Sequence, residues 1–192
     1  MANTTMSRPA EAAFPTARAY EMPLTRLWRA FSPERLGEGI MPPMTLLLRL
    51  TMGWIFVWSG FDKLLGDFSS AGFLANASKG PLTGWFQGLA QNQAAVDVID
   101  PLVVWGQILI GLALIFGVGT RFTLFWASAM MFMFYIAQFP PANNPFMDEH
   151  LVYILLFVLL GALGAGRILG LDALLERLPW VRRLPLLNLL LG

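Results

Sequence analysis

Four long, uninterrupted apolar runs dominate the chain, at about residues 44–65, 102–118, 122–139 and 151–168. Crossing the hydrocarbon core of a bilayer takes about 20 apolar residues. In lipid the backbone must satisfy its own hydrogen bonds, so only helices and closed barrels cross it. Barrel strands alternate apolar and polar residues in short segments, whereas these runs are continuous. The pattern therefore predicts an all-α integral membrane protein, a bundle of four transmembrane helices. The first run carries Arg49 near its start and Asp62 and Lys63 near its end, the middle two carry no charge, and the fourth reaches its first charge at Arg167.

Shorter amphipathic segments flank the runs. Residues 1–41 read as an N-terminal arm ending in an interfacial helix, with Pro23 at a first helical position and Leu24, Leu27, Trp28 and Phe31 on one face. That face can lie on lipid or dock on a partner protein. The segment 66–101 reads as a lid of two short helices broken at Lys79-Gly80-Pro81. Ser69 or Ser70 would cap the first, Gly80 would end it and Pro81 would open the next. Leu82, Trp85, Phe86 and Leu89 form its apolar stripe, and it either covers a site or seals the bundle. The tail, 171–192, repeats the design. Leu171, Leu174, Leu175 and Leu178 face one way, and Asp172, Glu176 and Arg177 face others.

Composition sharpens the picture. Charged residues make up 13% of the chain, about half of what a soluble domain uses to dress its surface. Net charge is +1, which removes the basic excess of a nucleic-acid binder. There is no cysteine and one histidine. Disulfides, thiolate chemistry, iron–sulfur clusters and a bis-histidine haem held by this chain alone are thereby excluded. The arginines at 8, 18, 26, 29, 35, 49, 121, 167, 177, 182 and 183 fall on one side of an even-span topology, and Lys63 and Lys79 on the other. The positive-inside rule then sets both termini in the cytoplasm, in a multi-pass protein of the inner cell membrane.

Several motifs carry a family resemblance. Leu48-Arg49-Leu50 with Gly53, then Gly60-Phe61-Asp62-Lys63-Leu64, resembles the first helix of the DoxX family. The stretch Trp105-Gly106-Gln107-Ile108-Leu109-Ile110-Gly111, closing on Gly117-Val118-Gly119-Thr120-Arg121, resembles the second, and Gly164-Ala165-Gly166-Arg167 with Leu171-Asp172 the end of the fourth. The long loop with Gly80-Pro81-Leu82 looks closer to the DoxD branch, the small subunit of thiosulfate:quinone oxidoreductase. The resemblance covers about residues 44–176 and implies a four-helix membrane fold linked to quinone-dependent sulfur oxidation. Where the family often has glutamate, this chain has Gln107, whose amide can still hydrogen-bond a quinone carbonyl.

Polar residues at membrane depth are costly and point to function or packing. Lys63 can snorkel to the interface or donate to a quinone carbonyl. Gln107 either fixes helix packing or joins Lys63 at a site near the outer leaflet. Asp62, about 100° from Lys63 on the helix, would seek a partner on another span. His150 follows Asp148 and Glu149 at the start of the fourth run, where Asp148 can cap the helix and His150 can relay protons. Lys63, Gln107, Asp62 and His150 are thus the candidate quinone-binding set, with no metal site. Trp54, Trp58, Trp105, Trp126, Phe56, Phe61 and Tyr135 suit an aromatic belt or a quinone pocket. Gly161, Ala162, Ala165, Gly166 and Gly170 suit close helix packing. Two functions remain open: a membrane subunit of a quinone-linked oxidoreductase acting on thiosulfate or another reduced-sulfur compound, or a non-catalytic accessory subunit of a larger respiratory or photosynthetic complex. Both take the lipid bilayer and other membrane subunits as partners.

Overall fold

A computed structural model of the chain describes residues 33–76, 79–141, 144–184, 187 and 190–192. The interfacial helix expected around Leu24–Phe31 lies outside them. The chain divides into two compact units, Met1–Met41 and Pro42–Gly192. The first is described only from Pro33, as helix; everything below concerns the second.

The elements in order are α1 (Pro33–Leu65), α2 (Ser70–Asn76), α3 (Thr83–Gln91), α4 (Gln93–Phe116), α5 (Thr120–Ala137), α6 (Glu149–Ala162), a 3-10 turn (Ala165–Arg167), α7 (Asp172–Leu175) and α8 (Pro179–Arg182). The described residues contain no strand. Three helices are long and apolar enough to cross a membrane, Gly39–Leu65, Gln93–Phe116 and Thr120–Ala137, and only a third of each apolar window is buried inside the protein. The rest is apolar surface, including Trp54, Trp58, Leu109 and Phe125, far more than a water-soluble chain leaves uncovered. Lipid is its solvent.

Two boundaries differ from the sequence reading. The second span starts at Gln93, not near residue 102, so the lid shortens to residues 66–92. Asn92 caps it, its side chain accepting the Ala95 amide at 3.3 Å, and the helix thereby nucleates in a polar stretch that a search for apolar runs passes over. Pro101 sits inside the helix and forfeits one backbone bond. The fourth helix stops at Ala162 instead of reaching residue 168, because Gly164 takes a left-handed φ of 62° and turns the chain into the 3-10 segment. At 14 residues, α6 is about 21 Å long, short of a bilayer core of about 30 Å.

The core is built from α1, α4, α5 and α6. Met52, Phe56, Ile110, Leu114, Leu124, Ala127, Met131, Phe157 and Leu160 form one buried cluster, with Phe56 edge-on to Phe157. At Gly111 an added Cβ would lie 2.5 Å from the Val57 amide and 2.6 Å from the Gly53 carbonyl, so α1 and α4 touch backbone to backbone there. A second cluster, Leu74, Phe86 and Ala137 with Phe73, Leu89 and Ile136 around it, seats α2 and α3 on the end of α5. α2 starts under two caps. Asp100 of α4 accepts the Ser70 amide at 2.7 Å, and the Ser69 hydroxyl accepts the Ala71 amide. It ends at Asn76, before Gly80, and α3 opens at Thr83 after a turn at Pro81 and Leu82.

Candidate functional site

Polar side chains gather at the two ends of the bundle. One end lies under α2 and α3, and the other gathers the arginines.

At the lid end, Lys63 sits in the last turn of α1. Its Nζ donates to the Ser59 carbonyl at 3.2 Å and lies 5.6 Å from the centre of the Phe68 ring. Asp62 beside it is exposed, and its backbone carbonyl accepts the Gly66 amide. Gln107 is 5% exposed, and its Oε1 is buried with no hydrogen-bond partner. An added Cβ at Gly60 would meet Ile108 and Val104, which sets Gln107 level with Gly60. Lys63, three residues further along α1, is then about 4.5 Å nearer the lid end.

His150 is buried, and its Nδ1 lies 2.6 Å from Asp148 Oδ2. The other carboxylate oxygen accepts the Leu151 amide at 3.2 Å and caps α6. The imidazole stands edge-on to Phe134, which stands edge-on to Phe73 of the lid. Nearby, Pro81, Leu82, Ile136 and Phe139 line a shallow apolar recess between lid and α5. Among the described residues no hydrogen bond joins any two of Lys63, Asp62, Gln107 and His150.

At the other end lies a polar knot that sequence reasoning resolved only in part. Arg49 is 1% exposed. Its Nη1 donates to the Ala165 carbonyl and, at 3.0 Å, to that of Ile168, and its Nη2 donates to Leu169. Its hydrogen-bond partners are thus backbone carbonyls. Asp172 is fully buried, where the amphipathic pattern of the tail set it on a polar face. It accepts the amides of Gly119 at 2.7 Å, Thr120 at 2.9 Å and Gly192 at 3.1 Å. The signal available for this was the left-handed glycine, Gly119, before α5, which leaves that helix start without a side-chain cap of its own. Arg167, at the surface, pairs with Glu176 at 2.9 Å, and that carboxylate raises the arginine's pKa above its ordinary value.

Trp54, Trp58, Trp105 and Trp126 are exposed and form the lipid-facing aromatic surface. Phe56 is core, and Tyr135 donates its hydroxyl to the Phe146 carbonyl at 2.9 Å.

These features define an all-helical membrane protein with a lidded polar end and an arginine-tied end. The chain belongs to the DoxX family, whose model matches residues 44–139, from the middle of α1 through α5. No curated protein and no solved structure matches it.

Proposed function

We propose that this chain is a four-span membrane subunit of a quinone-linked oxidoreductase that holds the quinone head group at its lid end. The carrying observation is the orphaned Oε1 of Gln107. A buried polar atom without a partner costs about 1–3 kcal/mol, a cost that a bound hydroxyl or carbonyl group offsets. A glutamine amide has both an acceptor and donors, so it fits a quinol hydroxyl and a quinone carbonyl alike. The Lys63 ammonium, with one of its three N–H groups on Ser59, has donors left for the same ligand. Phe134, Phe73 and the recess at Pro81, Leu82, Ile136 and Phe139 offer apolar surface to the ring.

A bound quinone would supply two-electron, two-proton chemistry that no side chain of this chain can supply. Electrons would come from a reduced-sulfur donor on the outer side. For thiosulfate, two molecules join through a new S–S bond as tetrathionate and release two electrons. The fourth crossing is made by α6 with its 3-10 turn, which runs from His150 beside Phe134 to Ala165 beside Arg49. The arginine end then faces the cytoplasm.

The test is a binding titration of the purified protein in lipid nanodiscs with decylubiquinone. Gln107→Leu is expected to weaken binding about tenfold, which corresponds to about 1.4 kcal/mol, and Lys63→Ala to weaken it less. Equal affinity in Gln107→Leu and the wild type would remove the site.

A second reading, the accessory subunit, is favoured by α3. Gly84 and Gly88 face open space, and Trp85 next to them is 55% exposed, a small-residue surface on which another helix can seat. Stoichiometric co-purification with a larger complex, lost in Gly84→Leu, would support it.

A further inference from the structure

Resting on the quinone reading above, we propose that Asp148 and His150 are its proton-exchanging pair, with His150 Nε2 touching the quinone oxygen and Asp148 acting as a positioning residue.

His150 is the one histidine of the chain, and both side chains of the pair are about nine-tenths buried, at 11% and 10% exposure. Both oxygens of Asp148 are engaged, one with Nδ1 at 2.6 Å and the other with the Leu151 amide. The carboxylate is therefore fixed to the first turn of α6, and it holds a proton on Nδ1. The ring plane is set by Phe134. Among the described residues Nε2 has no hydrogen-bond partner, so the imidazole is clamped on one nitrogen and free on the other. That is the arrangement of a general acid–base held in place by an orienting carboxylate.

The quinone reading already draws on another unpartnered polar atom, the buried Oε1 of Gln107 on α4.

An imidazolium at His150 would pass its Nε2 proton to an oxygen of a bound quinone as the ring is reduced. The N–H bond breaks, an O–H bond forms, and the imidazole becomes neutral with its Nδ1 proton still on Asp148. The two electrons come from the reduced-sulfur donor, and the second proton comes from water at the lid end.

Because His150 is unique, ¹⁵N-histidine labelling gives an assigned imidazole spectrum of the full chain in nanodiscs. Decylubiquinone is expected to shift the Nε2 resonance and leave Nδ1 nearly unmoved. Asp148→Asn, which still caps α6, is expected to lose the fixed tautomer and bind the probe about tenfold more weakly, and Asp148→Glu to recover part of the affinity. His150→Phe, which retains an aromatic ring against Phe134, is expected to lose the same affinity. The pair is overturned if decylubiquinone binds and responds to Gln107→Leu while the Nε2 resonance stays still and Asp148→Asn binds normally. If the wild type does not bind the probe, this proposal and the quinone reading fall together.

Discussion

Arg49 and Asp172 carry opposite charges into a water-poor interior, and each uses its charge on backbone. A helix leaves four amides unpaired at its start and four carbonyls at its end. Asp172 takes amides at the start of α5, and Arg49 takes carbonyls just past the end of α6. Both are matched to the helix dipoles they face. Removing Asp172 leaves the amides of Gly119, Thr120 and Gly192 without their acceptor. Asp172→Ala is therefore expected to destabilise the fold by about 3 kcal/mol or more, and Asp172→Asn by less, since the amide can still accept. Thermal or denaturant unfolding in detergent would measure both. Gly166 closes the same knot, because a Cβ there would lie 2.2 Å from both Asp172 Oδ2 and Thr120 Oγ1. Gly166→Ala is expected to cost about 1–3 kcal/mol as overpacking, read from the same unfolding curves. Arg167→Ala, by contrast, removes an exposed pair and should change stability by less than about 1 kcal/mol. The raised pKa of Arg167 means that on the alkaline side its contribution fades only as pH rises through that higher value, so titration across the neutral range should not reveal it.

Among the elements, the lid is the part most separable from the rest. It rests on a small apolar cluster with Ala137 and on the bond from the Ser70 amide to Asp100. Asp100→Ala is expected to cost about 1 kcal/mol. It should also speed hydrogen exchange across Ser70–Asn76 without changing exchange in α5. Equal protection in the variant would show that the apolar cluster alone holds the lid. The closeness of α1 and α4 follows from Gly53, Gly60 and Gly111, whereas the small residues that the sequence offered for close packing lie at 161–170. The true start of α4 and the early stop of α6 were not legible either. One depends on a side-chain cap in polar sequence and the other on a left-handed glycine, and neither alters an apolar run.

For the whole molecule, charge sorts by end. Arg49, Arg121, Arg167 and Arg177 belong to the end where α4 turns into α5, while Lys63, Lys79, Asp148 and Glu149 belong to the lid end. The cysteine-free background makes single-cysteine labelling a clean test. Lys79→Cys is expected to react with a membrane-impermeant maleimide in intact cells, and Arg183→Cys only after permeabilisation. The reverse pattern would invert the proposed orientation.

The sequence by itself determined the solvent. Long charge-free runs can be satisfied only in lipid and only as helices, so the helical membrane class and three of the spans were readable before any coordinates, and the motifs along them resembled the family. It also named Gln107 and His150, because a polar side chain stands out against an apolar background whatever surrounds it. Only the tertiary structure decided what each polar group meets. Arg49 meets carbonyls 116 to 120 residues away, Asp172 turns inward onto α5, and Gln107 keeps an oxygen with no partner. The physical reason is range. Hydrophobic periodicity is a local property of the chain, whereas a hydrogen bond between helices depends on register, which the packing of glycines and core side chains fixes only once the bundle has formed.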